Sequence, residues 1–154
     1  MQWGSLIGAV VGALIGVSAT LSAEQMRWRR GRQDSDKTAK RQTYADYLAA
    51  LSLTRNELRL ASRRSSIPLE ERSERAAESF RTGRAYELRY QVVLIAPTEV
   101  ISASDRAFRA LREIQQLVED GTLHTDTPYI AQRDAWEAAF AALRDRMRED
   151  LDAS

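Results

Sequence analysis

The chain opens with 23 uncharged, mostly apolar positions, and then alternates apolar and polar residues with helical spacing. Residues Trp3 to Ala23 read WGSLIGAVVGALIGVSATLSA. About 20 such residues, rising about 1.5 Å each, cross the roughly 30 Å hydrocarbon core of a bilayer. The pattern predicts a transmembrane anchor over 1–26, a basic juxtamembrane segment over 27–41 and a cytoplasmic helical bundle over 42–154.

Four amphipathic helices are predicted after this span, because apolar residues recur there every three or four positions. They end near Arg64, Ile95, Gly121 and the C-terminus, with prolines marking the breaks. Their apolar faces are, in order, Tyr44, Tyr47, Leu48, Leu51, Leu58 and Ala61, with Leu53 and Leu60 alongside; Leu69, Ala76, Ala77, Phe80, Leu88 and Tyr90; Val100, Ser104, Ala107, Leu111, Ile114 and Val118; and Tyr129, Trp136, Phe140, Leu143, Met147 and Leu151.

Short connections between these helices favour an antiparallel up-and-down bundle. The fold class predicted is therefore all-α, with a single transmembrane helix followed by a four-helix cytoplasmic bundle. The apolar run Val92–Ile95 resembles a strand, but we interpret it as the buried end of the second helix. In this arrangement the loop around Pro97 lies near the bilayer.

A stripe of glycines runs along the predicted span. Gly4, Gly8, Gly12 and Gly16 recur every four residues and therefore share one face of a helix. Such a face lets a second backbone approach closely, as in small-xxx-small packing of membrane helices. It predicts self-association, with packing against another membrane protein as the alternative.

Charge sets the orientation of the span. The flank predicted to meet lipid headgroups consists of Trp3 before the span and Arg27, Trp28, Arg29, Arg30 and Arg32 behind it. Because basic residues follow the span and none precedes it, the N-terminus is expected outside and the C-terminal domain in the cytoplasm. A cleaved signal peptide is the rival interpretation, but the sequence lacks a basic n-region and has a poor cleavage site near Ala23.

The distribution of charge favours lipid over nucleic acid as the partner of the basic segment. Residues 27–64 hold 11 Lys or Arg and 4 acidic residues, whereas residues 65–154 hold 12 and 17. The basic excess thus adjoins the span, where anionic headgroups attract it. The chain has no cysteine, which excludes disulfides and thiolate sites.

No arrangement of residues indicates catalysis or a cofactor. His124, the single histidine, falls in a predicted loop, and the acidic group around Glu70 and Glu74 is interleaved with arginines on a helix surface. Gly-rich phosphate loops and nucleophile motifs are absent from the sequence. We expect no enzyme, metal or cofactor. The aromatic residues are expected to fill the core, with a peptide- or ligand-binding groove as the alternative.

Two stretches carry a resemblance to a known group of proteins. The glycine-rich span meets an arginine-rich flank and the helix start RQTYADYLAAL, and VVLIAPTEVISASDRAFRAL forms a helix–Pro–helix junction. This layout resembles small actinobacterial membrane-anchored proteins, called KilB-like or Spd-type, that are associated with the spread of conjugative plasmids. The resemblance implies no particular site residues.

The sequence as a whole predicts a single-pass protein of the cell membrane whose helical bundle acts as a scaffold or interaction module. Its expected partners are membrane lipids, a second copy of itself through the transmembrane helix, and another membrane or cytoplasmic protein. Two alternatives are a holin-like oligomer that perturbs the membrane, and a membrane-tethered nucleic-acid binder in plasmid transfer. A basic face formed by Arg55, Arg59, Arg63 and Arg64 would serve the second alternative, although a solvated helix face explains it more simply.

Overall fold

The computed structural model describes residues 35–63 and 65–153, and both ranges are helical with short connections. The helices are α1 over 35–63, α2 over Leu69–Thr82, α3 over Ala85–Ile95, α4 over Thr98–Glu119 and α5 over Thr127–Ala153. These described ranges contain no strand, so the all-α prediction is confirmed for them. The chain divides into two units, 1–39 and 40–154. The following description concerns the second unit.

Helix α1 runs parallel to α4. The Tyr47 hydroxyl is hydrogen-bonded to Ser104 Oγ at 2.9 Å, and the backbone N–H of His124 donates to the Ser62 carbonyl at 3.4 Å. Residue numbers therefore rise together along the two helices. Residues near Lys40 and the start of α4 lie at one end of the bundle, which we call the entry end because the chain enters the second unit there.

The other segments run antiparallel to α1 and α4. Arg55 pairs with Glu137 at 3.2 Å and the Tyr44 hydroxyl donates to Asp150 at 2.5 Å, so α5 returns along α1. Helices α2 and α3 return along α4 through three contacts: Arg72 with Gly121, Phe80 with Phe108, and Arg89 with Asp105. The bundle therefore has four antiparallel segments, of which the second is divided into α2 and α3.

Helix α4 is the central element of the core. The six residues of its predicted seam are all buried: Val100, Ser104, Ala107, Leu111, Ile114 and Val118. Among α2 to α5, its contact with α5 is the most extensive. On α5 the predicted face also holds, since Tyr129, Trp136, Leu143 and Met147 are buried and Phe140 and Leu151 pack against the core. The predicted end of α4 is confirmed at Gly121, whose φ of +94° only glycine adopts readily.

The predicted second helix is not continuous to Ile95. Gly83 and Arg84 form a turn between α2 and α3. Arg84 has a φ of 53°, in the left-handed region, which interrupts a right-handed helix. The apolar spacing does not show the break, because the residues on both sides have helix-forming composition.

The burial predicted for the apolar run Val92–Ile95 is wrong, although the run is helical. Val92 is fully buried, but Leu94 is 84% exposed and Val93 and Ile95 are about 40% exposed. Four consecutive residues point around most of a helix, and only one face of α3 reaches the core.

Other residues assigned to core faces are exposed for a similar reason. Helix α1 buries a narrow stripe, so Leu53 and Leu60 beside it remain 43% and 38% exposed. Three residues assigned to the second helix are also exposed: Leu69, Ala77 and Tyr90.

The predicted anchor Trp3–Ala23 lies outside the described residues. So do its predicted association residues Gly4, Gly8, Gly12 and Gly16, and its predicted headgroup residues Trp3, Arg27, Trp28, Arg29, Arg30 and Arg32. Among residues 35–63 and 65–153, no helix is long and apolar enough to cross a membrane.

Candidate interaction surface

A tight contact between α1 and the turn at Gly83 fixes the start of α3. A Cβ atom on Gly83 would lie 2.0 Å from Thr54 Oγ1 and 3.0 Å from the Ala50 carbonyl oxygen. Thr54 is fully buried, and its hydroxyl donates to that carbonyl at 2.9 Å. The φ of Gly83 is −75°, which suits any residue. Glycine is therefore needed at position 83 because a side chain would collide with α1, and not because of its backbone conformation.

The inner face of α3 joins it to the core. Ala85, Leu88 and Val92 are buried at helical spacing. Beside them the Arg89 guanidinium donates to Asp105 at 2.7 Å and lies 5.0 Å from the centre of the Phe108 ring. The hydrogen bond to Asp105 raises the pKa of Arg89. These contacts fix how α3 is rotated against α4.

The outer face of α3 is apolar as well. Tyr86, Tyr90, Val93 and Leu94 follow the spacing i, i+4, i+7, i+8 and so form one stripe, which we call the α3 stripe. Their exposed fractions are 40%, 63%, 40% and 84%. This exposed apolar stripe is the candidate interaction surface of the bundle.

The α3 stripe changes character along its length. At its start the Tyr86 ring packs against Phe80 and Phe108 at 5.5 and 5.0 Å, and its hydroxyl accepts a hydrogen bond from Arg112 at 2.9 Å. Leu94, the most exposed large apolar residue described, lies at its other end. The stripe thus passes from packed aromatic residues with hydroxyl groups to an aliphatic end.

The aliphatic end of the stripe lies at the entry end of the bundle. Gly83 lies against Ala50 and Thr54 of α1. From there the chain runs antiparallel to α4, since Phe80 packs on Phe108 and Arg89 pairs with Asp105, and it is therefore also antiparallel to α1. The 12 residues from Gly83 to the end of α3 rise about 18 Å, which brings that end level with the start of the second unit.

A charged cluster closes the same end of the bundle on its α5 side. Lys40 pairs with Asp150 at 2.7 Å, and Asp150 also accepts the Tyr44 hydroxyl. Burial and the neighbouring carboxylate both raise the pKa of Tyr44 above its usual range. These contacts hold residues 40–44 of α1 against the last turns of α5.

Two arginines of the predicted basic face make contacts within the bundle. Arg55 lies 5.7 Å from the Trp136 ring centre and bonds to Glu137, and Arg59 donates to Asn56 at 3.0 Å. These contacts leave Arg63 as the exposed member of the predicted basic face, and Arg64 is outside the described ranges. His124 is half-buried in its loop, and no group of His, Asp or Glu within 35–63 and 65–153 could hold a metal ion.

The aromatic residues divide into core and surface. As predicted, Tyr44, Tyr47, Phe80, Phe108, Tyr129 and Trp136 are buried. Tyr86 and Tyr90 belong to the α3 stripe, which sequence reasoning missed. A signal was present, since α3 has apolar residues on more of its circumference than a surface helix needs. No family profile, curated protein or solved structure matches the chain.

Proposed function

We propose that this protein is a single-pass membrane protein whose cytoplasmic helical bundle acts as a scaffold or interaction module without catalytic activity. The observation that carries the proposal is the uncharged segment Trp3–Ala23 with the arginine cluster directly behind it. This combination is typical of an anchor with its basic flank in the cytoplasm. The bundle then serves as the working part on the cytoplasmic side.

The packing of the bundle supports an interaction role. Polar side chains join neighbouring helices, as in the buried pair Tyr47–Ser104 and the partly buried pair Arg89–Asp105. The two most exposed large apolar residues described, Leu94 and Tyr90, both belong to the α3 stripe. A surface of this kind suits binding, since binding energy comes from apolar side chains that become covered.

The proposed topology is testable with single cysteines, because the chain has none of its own. Gln2→Cys and Thr125→Cys place a thiol before the anchor and in the exposed α4–α5 loop. We expect a membrane-impermeant maleimide to label position 2 in intact cells and position 125 only after permeabilisation. Labelling of position 125 in intact cells, or release of the protein from membranes by alkaline carbonate, would contradict the proposal.

Self-association through the glycine stripe is the second part of the proposal. Gly8→Ile with Gly12→Ile removes the flat face, and Val10→Ile with Leu14→Ile is the matched control on the opposite face at the same spacing. We expect chemical crosslinking in membranes to give a dimer or small oligomer with the control and a monomer with the glycine variant. Equal crosslinking of both variants would show that the stripe is not the contact.

The interaction partner can be sought in the native host. A C-terminally tagged chain is crosslinked, extracted in mild detergent and analysed by mass spectrometry. Recovery of one or two defined proteins at stoichiometric yield supports the scaffold. Recovery of the chain alone, in a ladder of sizes, would favour a pore-forming assembly instead.

A further inference from the structure

We propose that the α3 stripe and the following α3–α4 turn lie in the headgroup region of the bilayer, so that the bundle contacts the membrane at a second point. This inference rests on the proposed membrane anchor. Its occupant is a lipid surface, and the argument depends on the position, the polarity gradient and the size of the stripe.

Position provides the first argument. The chain enters the second unit at Lys40, which pairs with Asp150 near the end of α5. Lys40 therefore lies at the entry end of the bundle. The aliphatic end of the stripe lies at the same end, since the chain runs from Phe80 opposite Phe108 to Arg89 opposite Asp105 and so approaches the start of α4. Residues 24–34 separate the uncharged segment from the start of α1 at residue 35, and they span at most about 40 Å. Since the chain joins the bundle at its entry end, the proposed anchor limits the distance of this end from the membrane more tightly than that of the opposite end.

The polarity gradient provides the second argument. Residues 90–98, YQVVLIAPT, contain no charged side chain. Val93 and Leu94 form the aliphatic end of the stripe, while Tyr90 and Tyr86 lie one and two turns behind. Tyrosine is enriched where a bilayer changes from hydrocarbon to headgroup, so a helix that enters this boundary by its end has its tyrosines behind its aliphatic residues. The order of Leu94, Tyr90 and Tyr86 along α3 therefore matches the order of the hydrocarbon and headgroup layers.

The size of the stripe argues against a protein partner as its main occupant. It presents four side chains, whereas a stable protein interface uses roughly 20 to 30 residues from each side. A lipid surface needs no such area, because the anchor already holds the chain at the membrane and each exposed apolar side chain adds to the contact.

The experiment uses the full chain reconstituted in liposomes, with an environment-sensitive fluorophore on a single introduced cysteine. Leu94→Cys places the probe at the end of the stripe. Ser102→Cys places it on an exposed position of α4 at a similar height, and Thr125→Cys at the opposite end of the bundle. Flotation of the liposomes reports anchoring independently of the probe. Lipids carrying a quencher near the headgroup report contact of the probe with the bilayer.

We expect the chain to float with the liposomes, and the probe at position 94 to shift to the blue and lose emission when quencher lipid is added. The probes at 102 and 125 should retain the emission of a solvated group. If the chain floats but position 94 behaves like 125, or if 94 and 102 are quenched equally, the inference is wrong and the anchor stands. A blue shift at 94 without lipid quenching would mean that a second copy covers the stripe, which also overturns it. Failure to float would overturn the anchor itself.

Discussion

Helices α3 and α4 are neighbours in the bundle, but they use their apolar residues differently. Helix α4 buries one broad face along its whole length, including Val100, Leu111 and Val118. Helix α3 buries only Ala85, Leu88 and Val92 and leaves the α3 stripe exposed. Apolar residues on α4 are explained by the fold alone. Those on the outer face of α3 are not, and this difference separates the residues that hold the bundle together from those available for binding.

The largest expected contrast is between two leucines on these helices. Leu111→Ala should lower the free energy of unfolding by about 2–5 kcal/mol, because its side chain is fully buried. Leu94→Ala should change it by less than about 0.5 kcal/mol, because that side chain is mostly exposed. Urea unfolding of the full chain in mild detergent, followed by circular dichroism, measures both. If the two variants lose comparable free energy of unfolding, the outer face of α3 supports the fold as much as the buried face of α4 does.

The next contrast concerns the turn that separates α2 from α3. Gly83→Ala should lower the free energy of unfolding by about 1–3 kcal/mol, because the new Cβ atom meets the buried Thr54 hydroxyl. Adding Thr54→Ala removes that oxygen and should recover part of the loss. Unfolding of the single and double variants by urea gives the coupling between the two positions.

Arg84→Gly is the matched control for Gly83→Ala. It lies one residue further along, is exposed, and has the left-handed φ that glycine tolerates better than arginine. We expect its effect on the free energy of unfolding to stay within about 1 kcal/mol and on the stabilising side. A loss as large as that of Gly83→Ala would mean that any change in the turn is harmful and that space at position 83 is not the cause.

A smaller effect is expected at the buried hydrogen bond between α1 and α4. Tyr47→Phe should cost about 1–2 kcal/mol, because Ser104 Oγ is left buried without the tyrosine hydroxyl. Combining it with Ser104→Ala should cost less than the single change, since neither polar partner then remains. Thermal or urea unfolding of the three chains checks this. An additive loss in the double variant would show that the two groups act independently.

The smallest effect is a dependence of stability on alkaline pH. Burial raises the pKa of Tyr47 from 10.0 to about 12. Between these values the unfolded chain releases the phenolic proton while the folded chain retains it. The free energy of unfolding should therefore fall as pH rises, by about 1 kcal/mol per pH unit from this group. Urea titrations at several pH values should show a shallower slope for Tyr47→Phe. If the free energy of unfolding of Tyr47→Phe falls with pH as steeply as that of the unchanged chain, the Tyr47 phenol is not the cause of the dependence.

Much of the bundle could be predicted from the sequence because its long helices carry a single clear apolar face. The seam of α4 from Val100 to Val118 and the face of α5 are confirmed, and Gly121 ends α4 as expected. In these helices one stripe of residues faces the core, so helical spacing and burial coincide.

The second segment could not be predicted correctly because its break depends on a contact with another helix. Gly83 is recognisable as important only when Thr54 is seen against it. Without the break, Tyr90 is assigned to the apolar face of one long second helix, although it is 63% exposed. The α3 stripe was missed for the same reason. Helical spacing predicts which apolar residues share a face, but it does not show whether a neighbouring helix covers that face.

The most direct test of this account compares amide hydrogen exchange in lipid nanodiscs between the full chain and its Tyr90→Ser, Leu94→Ser variant. If the outer face of α3 contacts lipid and contributes little to the fold, amides 90–96 will exchange faster in the variant while those of α4 will be unchanged. Equal exchange over 90–96 would contradict the lipid contact. Faster exchange throughout α4 would show that the outer face supports the fold, and would contradict the separation of roles between the two helices.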